Sequence, residues 1–492
     1  MDRPERIVIL DIDGLRRDVY EHMLGKLPNL SRLFSNGVHL PVLSTAPSIT
    51  FAAQAALFTG EHPSATLIPG NDCFDRIGNP LIDDGHPRHY GFTVGDTKAY
   101  DDAVQVFAGG LVDRVLSSDI ETLYETASAQ GKTSIAAHHM ITRGATKALM
   151  PNLVDIARFT KGKGIFGMGD GAYDDKMLDR LAGAFDEFGG LPDITTAYFM
   201  GVDHHSHAHG PDAQAGYLRD YIDPQVGRLL EMLEQHGSLG STLFVMVSDH
   251  GHLATPGDDA HSIRLGFPFD MELSPLFHAL GLDLHDLPGE DPAVDAVMGL
   301  NGGLALAYLR HREEDWPVPP RYEDDVLRVA DAFHAMNTTG KYREELKDTL
   351  ELILVRDCER DGWRAPFRVY LSDGETQSLD EWLADHPDLP YVDAMNRLMW
   401  AASHMTGDMI LCARAAEGVY FGADGLRGVH GSLHKGDSEA VMGFALPGSD
   451  HVELGEQVRA LVKARCADEG DRQPSIADMA YIIREVFLSA EQ

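Results

Sequence analysis

Cysteine is scarce in this sequence of 492 residues, which contains only four. Cys73, Cys358, Cys412 and Cys466 lie far apart, and no two of them form a CxxC pair. This spacing indicates neither a disulfide framework nor a cysteine-type zinc site. We expect four isolated, reduced thiols.

Basic residues are also scarce, because 41 lysines and arginines stand against 77 aspartates and glutamates. The resulting formal net charge of −36 repels nucleic-acid phosphates and anionic lipid surfaces. The composition therefore argues against a nucleic-acid polymer or a membrane as partner. A small anionic substrate remains compatible with this charge, since bound cations can reverse the local field.

Long apolar runs are missing as well, and none approaches the about 20 residues of a membrane-spanning helix. The N-terminal run IVIL ends in aspartates, and no small-residue cleavage site follows it. The run therefore predicts a buried strand and not a signal peptide. We expect the protein to be cytoplasmic.

Apolar runs of strand length alternate with helical patterns along most of the chain. Helical spacing with capping residues marks 118–131, 224–237 and 474–487. Strands that alternate with helices predict an α/β fold, in which a mostly parallel central sheet carries helices on both faces. The runs that predict buried parallel strands are 7–13, 133–140, 195–203, 242–250 and 439–446.

The middle of the chain has a different character, because 254–400 is richer in proline and acidic residues. Alternating patterns predict strands at 302–310 and 367–375, and 407–422 is typical of a hairpin. A core strand returns at 439. These changes predict one core formed by 1–260 and 401–492, with a cap or insertion domain at 261–400.

Three predicted strands end in carboxylates, and the stretch VDHHSHAHGP at 202–211 crowds histidines after one of them. The carboxyl ends of parallel strands meet at one edge of a sheet, and buried carboxylates there need a compensating cation. A single such aspartate can be an ordinary helix cap, and a histidine tract can be a solvated loop. Aspartate and histidine without thiolates suit zinc, or manganese as a harder relative. The candidate ligands are Asp13, Asp203, His207, Asp249 and His250, and His430 from the loop GVHGSLHKG is well placed to join them.

A candidate nucleophile lies in TAPSITFAAQAALFTGEHP, where 50–59 predicts a helix that ends at Gly60. Thr50 would then lie at or next to the helix N-terminus, whose free N–H groups attract a phosphoryl oxygen. A hydroxyl bound to a metal loses its proton more easily and can attack phosphorus. The alternative is a plain N-cap threonine.

The ordered motifs LDIDG, PSITF…TG…P, DHHSHAHGP, SDHG and a late HG resemble the alkaline phosphatase superfamily. More narrowly, they resemble the type I phosphodiesterase/nucleotide pyrophosphatase group, to which phosphonoacetate hydrolase is close. The resemblance covers roughly 1–260 and 405–492. It implies two zinc ions, with manganese possible, and a threonine or serine nucleophile. One ion would bind Asp203, His207 and His430, and the other would bind Asp13, Asp249, His250 and the Thr50 hydroxyl.

The resemblance also implies a role for Asn71, which follows Thr50 by 21 residues. Its amide would donate to a phosphoryl oxygen, although a turn-forming asparagine is the alternative. Many relatives carry Pro-Asn where this chain has Ala52-Ala53-Gln54, so the resemblance does not extend to the details of the pocket beside Thr50. His204, His205 and His209 are expected to flank the ligands or to face solvent, and His209 could contact substrate.

The implied activity is hydrolysis of a phosphodiester or pyrophosphate bond in a small substrate through a phospho-threonine intermediate. A phosphonate C–P hydrolase is the main alternative. A phosphomonoesterase, a metal-dependent mutase and a catalytically silent metal-binding module are others, and Thr50 argues against a sulfatase. Lys98, Arg76 or Arg88 could hold a second anionic group of the substrate, or they could be surface charges.

Overall fold

Two seven-stranded sheets form the framework of the protein. The computed structural model describes residues 3–82, 85–93, 100–160, 167–265, 272–285, 289–290, 294–449 and 451–489. Lys98, one candidate for binding a second anionic group, lies outside the described residues. Among the described helices, none combines the length and the apolar character that a membrane crossing requires.

The first sheet is mostly parallel, as the sequence predicts. Five neighbouring strands run in the same direction. The strand Glu439–Ala445 is antiparallel to both of its neighbours, so the expectation of a parallel strand there is wrong. In spatial order the strands are Val38–Leu43, Glu439–Ala445, Thr242–Val247, Arg6–Ile12, Ile194–Phe199, Ser134–Ala137 and Lys147–Leu149.

Val38–Leu43 is an edge strand that the apolar pattern does not predict. It contains Pro41, which lacks the N–H that a central strand would need for pairing. At the edge of the sheet, Pro41 lies opposite Val441 while the outer side of the strand pairs with no other strand in the described part of the chain. The strand leads towards Thr50.

Helices cover both faces of this sheet. Successive residues of a strand point to opposite faces, so one strand contributes to both of the core clusters. Ile7 and Ile9 belong to one core cluster, and Val8 and Leu10 belong to the other. The first cluster includes residues of the helices Thr50–Thr59, Leu111–Val115, Leu123–Ala129, His451–Asp468 and Asp478–Ile483. The second includes residues of Arg17–Met23, Pro28–Phe34, Ala172–Phe188, Gln214–Tyr217 and Asp223–Gln235.

The second sheet is formed by the middle of the chain and is mostly antiparallel. Its order is Leu284–His285, Ala296–Asn301, Leu304–Leu309, Met409–Ala413, Leu350–Val355, Arg368–Ser372 and Glu375–Ser378. The predicted strands at 302–310 and 367–375 are therefore present. Helices that pack on it include Ser274–Ala279, Arg328–Thr339, Leu379–Asp385 and Ala394–Ala401.

The predicted hairpin at 407–422 is wrong. Met409–Ala413 lies between Leu304–Leu309 and Leu350–Val355 in the second sheet, and Tyr420–Phe421 pairs with Ser262–Ile263. All five residues of Met409–Ala413 are buried, as is typical of a central strand that has a paired strand on each side. The division at residue 400 stays a prediction, and the chain returns to the first sheet at Glu439.

Candidate metal centre

Three adjacent parallel strands bring the predicted carboxylates together at the carboxyl ends of the strands of the first sheet. Asp13 follows Arg6–Ile12, and Asp249 follows Thr242–Val247. Asp203 lies in the first turn of the helix Gly201–His209, which begins directly after the strand Ile194–Phe199. The crowded histidine stretch is therefore a helix and not a loop. The side chains form two clusters, in each of which the possible ligand atoms lie within 4.8 Å of one another.

The first cluster consists of Asp13, Asp249 and His250, all buried. His250 Nε2 lies 3.6 Å from Asp13 Oδ1 and 3.3 Å from Asp249 Oδ2. Asp249 Oδ1 accepts hydrogen bonds from the backbone N–H groups of Gly14 and His250. Asp13 Oδ2 accepts one from the Tyr198 hydroxyl. The other oxygen of each carboxylate is buried and receives no hydrogen bond from the described residues.

Thr50 joins this cluster from the first turn of the helix Thr50–Thr59. Its Oγ1 lies 3.2 Å from His250 Nε2. The helix ends at Gly60, whose left-handed φ of 77° is typical of a C-terminal cap, as predicted. The N-cap residue is Ile49, whose own side chain makes no capping hydrogen bond. The Thr50 hydroxyl is therefore directed towards the candidate ligands and does not serve as a cap.

Asn71 lies beside the same helix N-terminus. Its Oδ1 accepts a hydrogen bond of 2.9 Å from the Phe51 N–H. This bond uses the amide oxygen, so the amide nitrogen remains available as a donor. The backbone N–H of Asn71 donates to Asn301 Oδ1 of the second sheet, which fixes the loop against that layer.

The second cluster consists of Asp203, His207, His430 and a residue that the sequence analysis did not predict, His252. Asp203 and His207 are four residues apart and share one face of their helix. Asp203 Oδ1 lies 3.4 Å from His207 Nε2 and 3.6 Å from His430 Nε2. It lies 3.1 Å from His252 Nε2. His252 stands two positions after His250 in SDHGH, and that alternation was the available signal.

Every histidine of the two clusters directs its Nδ1 at a backbone carbonyl. The accepting oxygens belong to Gly428 for His207, Gly251 for His250, Gly14 for His252 and Ser48 for His430, at 2.7, 3.0, 3.0 and 3.1 Å respectively. A nitrogen that faces a carbonyl must carry the proton, so the opposite Nε2 of a neutral ring holds a lone pair. This arrangement orients metal-binding histidines in proteins generally.

The charges of the clusters are unbalanced without a cation. Burial, together with the charges of Asp249 and Asp203, raises the pKa of Asp13 well above its usual range. Burial also raises the pKa of Asp249, to about 6. For Asp203 burial acts in the same sense, but His207 outweighs it and lowers the pKa of Asp203 well below its usual range. Burial lowers the pKa of His250, His252 and His430, which keeps these rings neutral.

The donor set fits a pair of divalent cations. Tetrahedral zinc with bonds of about 2.0–2.1 Å places its ligand atoms about 3.3–3.4 Å apart. In the first cluster, His250 Nε2 lies 3.2–3.6 Å from the Thr50, Asp13 and Asp249 oxygens. In the second, His430 Nε2 lies 3.3 Å from His207 Nε2. Buried carboxylate oxygens without a hydrogen bond and neutral imidazole lone pairs are the groups that such cations satisfy.

The other histidines of the helix Gly201–His209 belong to neither cluster. The ring of His204 lies 4.3 Å from that of Phe159, and the rings of His205 and His209 stack at 4.3 Å. Gln54, part of the departure after Thr50, is buried and donates to Asp11 Oδ1. That departure therefore changes the protein interior and not the described ligands.

Arg76 and Arg88 are not surface charges. Both are buried, and Arg76 Nη1 lies 2.8 Å from Asp408 Oδ1. Arg88 pairs with Asp102. The expectation of surface charges is wrong for these two arginines because each one is matched with a carboxylate inside the fold.

Solved structures with a similar fold are known. Murine ectonucleotide pyrophosphatase/phosphodiesterase 5 (ENPP5) is 15% identical, with 89% of this chain and 88% of that chain covered and a TM-score of 0.53. Its inactive threonine-to-alanine variant in complex with AMP is 13% identical, with 99% of this chain and 96% of that chain covered and a TM-score of 0.58. Human ENPP5 is 15% identical, with 89% of this chain and 87% of that chain covered and a TM-score of 0.52. No curated protein matches the sequence.

These structural likenesses show an alkaline-phosphatase-like α/β fold. The family model of type I phosphodiesterase/nucleotide pyrophosphatase matches residues 7–357, which is more than half of the chain. The family is one of metal-dependent hydrolases, and the described part of this chain holds two groups of residues that could bind a metal ion. The chain therefore belongs to the type I phosphodiesterase/nucleotide pyrophosphatase family.

Proposed function

We propose that this protein hydrolyses a phosphodiester or pyrophosphate bond in a small, nucleotide-like substrate, with Thr50 as the nucleophile. The observation that carries the proposal is the position of Thr50 Oγ1, 3.2 Å from His250 Nε2 at the edge of a candidate cation site. The hydroxyl is buried with the candidate ligands at the start of a helix. A threonine that served only to cap this helix would not need to face them.

Two cations, which we propose to be zinc with manganese as the alternative, would complete the site. Asp203, His207 and His430 would hold one of them, and Asp13, Asp249, His250 and Thr50 would hold the other. When bound, such a pair supplies positive charge that stabilises attacking and leaving oxygens and makes a nearby hydroxyl more acidic.

The chain supplies the nucleophile and the seat for the phosphoryl group. Thr50 Oγ1 gives up its proton to solvent and bonds to phosphorus while the bond from phosphorus to the leaving oxygen breaks, and that oxygen acquires a proton from solvent. Water then attacks the phospho-threonine and gives up a proton, and the Thr50 oxygen leaves and regains one. The Thr50 N–H at the helix start and the Asn71 amide nitrogen would hold phosphoryl oxygens during both steps, whereas the Phe51 N–H already donates to Asn71 Oδ1.

The substrate class is supported by the ion pairs that two candidate arginines already form inside the protein. Phosphonoacetate carries a carboxylate besides its phosphonate, and a C–P hydrolase would need a positive group for it. Arg76 and Arg88 are paired with Asp408 and Asp102, so they do not offer that group. The murine ENPP5 variant was bound to AMP, which supports a nucleotide-like substrate here. The cytoplasmic location stays a prediction.

A substrate panel tests the proposal. Metal-free protein is reloaded with zinc and assayed on bis-p-nitrophenyl phosphate, p-nitrophenyl phosphate, a dinucleotide and phosphonoacetate. We expect the diester to be cleaved faster than the monoester, and the dinucleotide to release a nucleoside monophosphate. Preferential release of acetate from phosphonoacetate would replace the proposal with C–P hydrolysis. The absence of turnover on all four would favour a silent metal-binding module.

A second experiment tests the covalent step. Rapid acid quench during turnover, followed by peptide mass spectrometry, should find a phosphoryl group or phosphoryl ester on Thr50. Release of free product also distinguishes hydrolysis from a mutase, which would return the phosphate to its product. Rapid turnover with no label on Thr50 at any quench time, and with Thr50→Ala still active, would show that another group attacks phosphorus.

A further inference from the structure

We propose that His252 is a fourth protein ligand of the cation held by Asp203, His207 and His430. The proposal rests on the proposed function in one respect, namely that this cluster binds a cation. It goes further because it makes the two cation sites unequal. One would have four ligands from side chains of the protein, and the other would have three plus the Thr50 hydroxyl.

The first support is the direction of the His252 ring. Its Nδ1 faces the Gly14 carbonyl oxygen at 3.0 Å, so this nitrogen carries the proton. Its Nε2 is buried and, among the described residues, receives no hydrogen bond. Instead it lies 3.1 Å from Asp203 Oδ1, an oxygen that is equally without a hydrogen-bond donor. Two lone pairs at this distance repel each other unless a cation binds both.

The second support is the space that the fold keeps for this ring. A Cβ atom on Gly14 would lie 2.5 Å from His252 Cε1 and 3.0 Å from the Asp203 side chain. Gly14 also has a φ of +68°, which side-chain-bearing residues rarely adopt. A Cβ on Gly428 would lie 3.3 Å from His252 Cδ2. Gly14, the loop glycine after Asp13, thus leaves room for the ring, and its carbonyl oxygen accepts a hydrogen bond from the ring Nδ1–H.

The third support is the spacing of the ligand atoms. The distances between Asp203 Oδ1 and the three Nε2 atoms are 3.1, 3.4 and 3.6 Å. The Nε2 atoms of His207 and His430 are 3.3 Å apart. These values bracket the about 3.3–3.4 Å expected between ligands of a tetrahedral zinc ion. The ligand atom of His252 also lies within 4.8 Å of those of His207 and His430, which is close enough for all four residues to share one cation.

The consequence is a division of labour between the two sites. A site with four protein ligands is closed and retains its cation, whereas a site with three protein ligands keeps a position for a reacting group. We infer that the His252 site anchors one cation firmly, and that the Thr50 site exchanges its cation more readily. Stepwise chelation of the wild-type protein should therefore remove the two ions in separate phases.

Zinc titration of the metal-free protein against a chromogenic chelator tests this inference without an activity assay. We expect two sites in the wild type. His252→Met replaces the ring with a flexible side chain of similar reach, and we expect it to weaken one site at least about tenfold and to spare the other. His62→Met is the matched control, because it removes a largely buried histidine outside both clusters, which stacks on Trp400 at 4.2 Å. It should retain both affinities.

The outcomes are separable. A wild type that binds fewer than two cations overturns both the proposed function and the role of His252. A wild type with two sites, whose affinities His252→Met leaves unchanged, overturns only the role of His252. Should His252→Met not fold by circular dichroism, a crystal of the zinc-loaded wild type decides the question by anomalous scattering. We expect Nε2 of His252 about 2.0–2.1 Å from zinc, and a distance beyond bonding range overturns the proposal.

Discussion

Thr50 Oγ1 lies 3.2 Å from His250 Nε2, although 200 positions separate the two residues in the chain. Thr50 begins a helix that follows the edge strand of the first sheet, and His250 follows a central strand of the same sheet. Both residues lie at the carboxyl ends of the strands of this sheet, where Asp13 and Asp249 form a cluster with His250. The hydroxyl therefore meets the candidate ligands through the architecture of the sheet and not through a local motif.

Thr50→Ala should abolish turnover while the fold and most of the cation affinity remain. The methyl side chain cannot attack phosphorus, and we expect kcat/KM on bis-p-nitrophenyl phosphate to fall at least about a thousandfold. Thr50→Ser keeps a hydroxyl and should retain measurable activity and a covalent label. Zinc content, measured on the same samples, is the control because three side chains of that site are unchanged. Wild-type activity in Thr50→Ala would remove Thr50 from the mechanism.

Tyr198→Phe should weaken the cation site that contains Asp13. The Tyr198 hydroxyl donates to Asp13 Oδ2, and the ring packs edge-on against His139 at 5.3 Å. Phenylalanine keeps the ring and removes only the hydrogen bond that orients the carboxylate. Loss of such a bond typically lowers metal affinity by about 10–100-fold. A two-site zinc titration should show one weakened site, and unchanged affinity at both sites would show that Asp13 needs no orienting partner.

Cation binding at the Asp13 site should weaken in acid. Burial raises the pKa of Asp249 to about 6, and in the metal-free protein this carboxyl therefore carries a proton below that pH. A cation binds the ionised form, so it must displace the proton, and affinity should rise with pH until the carboxylate is ionised. The raised pKa of Asp13 acts in the same direction.

Isothermal titration in buffers of different ionisation enthalpy measures this effect as protons released per cation. We expect release at about pH 5.5, and an apparent Kd that falls by up to about tenfold per pH unit below the pKa of Asp249. Protons released at the His252 site must be counted separately. Burial lowers the pKa of His207, but Asp203 outweighs it and raises that pKa, so a cation displaces a proton there as well. Affinity at the Asp13 site that is flat from about pH 5 to 7 would contradict the raised pKa.

Arg76→Met should destabilise the protein strongly. Arg76 and Asp408 form a fully buried ion pair, with Nη1 and Oδ1 2.8 Å apart. Removing one partner leaves a buried charge without compensation, which typically costs about 3–5 kcal/mol. Asp408 Oδ2 also accepts the Leu309 N–H, so Arg76→Met combined with Asp408→Asn keeps that hydrogen bond and should recover part of the loss. Urea unfolding of both variants is the measurement, and equal stabilities would show that the lost charge pairing is not the cause.

The spacing of apolar residues predicted much of the first sheet because strand and helix periodicities are local properties. The strands after which Asp13 and Asp249 follow are central and buried on both faces, which gives continuous apolar runs. The edge strand Val38–Leu43 alternates buried and exposed residues and contains proline, so it gives no such run. The strand Met409–Ala413 is apolar enough to be recognised, but its neighbours in the second sheet are Leu304–Leu309 and Leu350–Val355, which lie far earlier in the chain.

His252 shows the corresponding limit at the candidate metal centre. His207 is suggested by its spacing of four from Asp203, which places both on one helical face. His252 shares no secondary-structure element with its neighbours Asp203 and Gly14. Its position follows from the approach of its loop to the loop at Gly14 and to the helix Gly201–His209, and the sequence of SDHGH does not reveal these neighbours.

The amino-acid sequence by itself determined the buried strands, the helix that begins at Thr50, and the aspartates and histidines that follow the strands. Each of these depends on residues within a few positions of one another. Only the tertiary structure decided the antiparallel direction of Glu439–Ala445, the partners of Arg76 and Arg88, and the approach of His252 to Asp203. These features depend on which distant segments pack together, because a hydrogen bond or an ion pair requires a distance in space that periodicity along the chain does not encode.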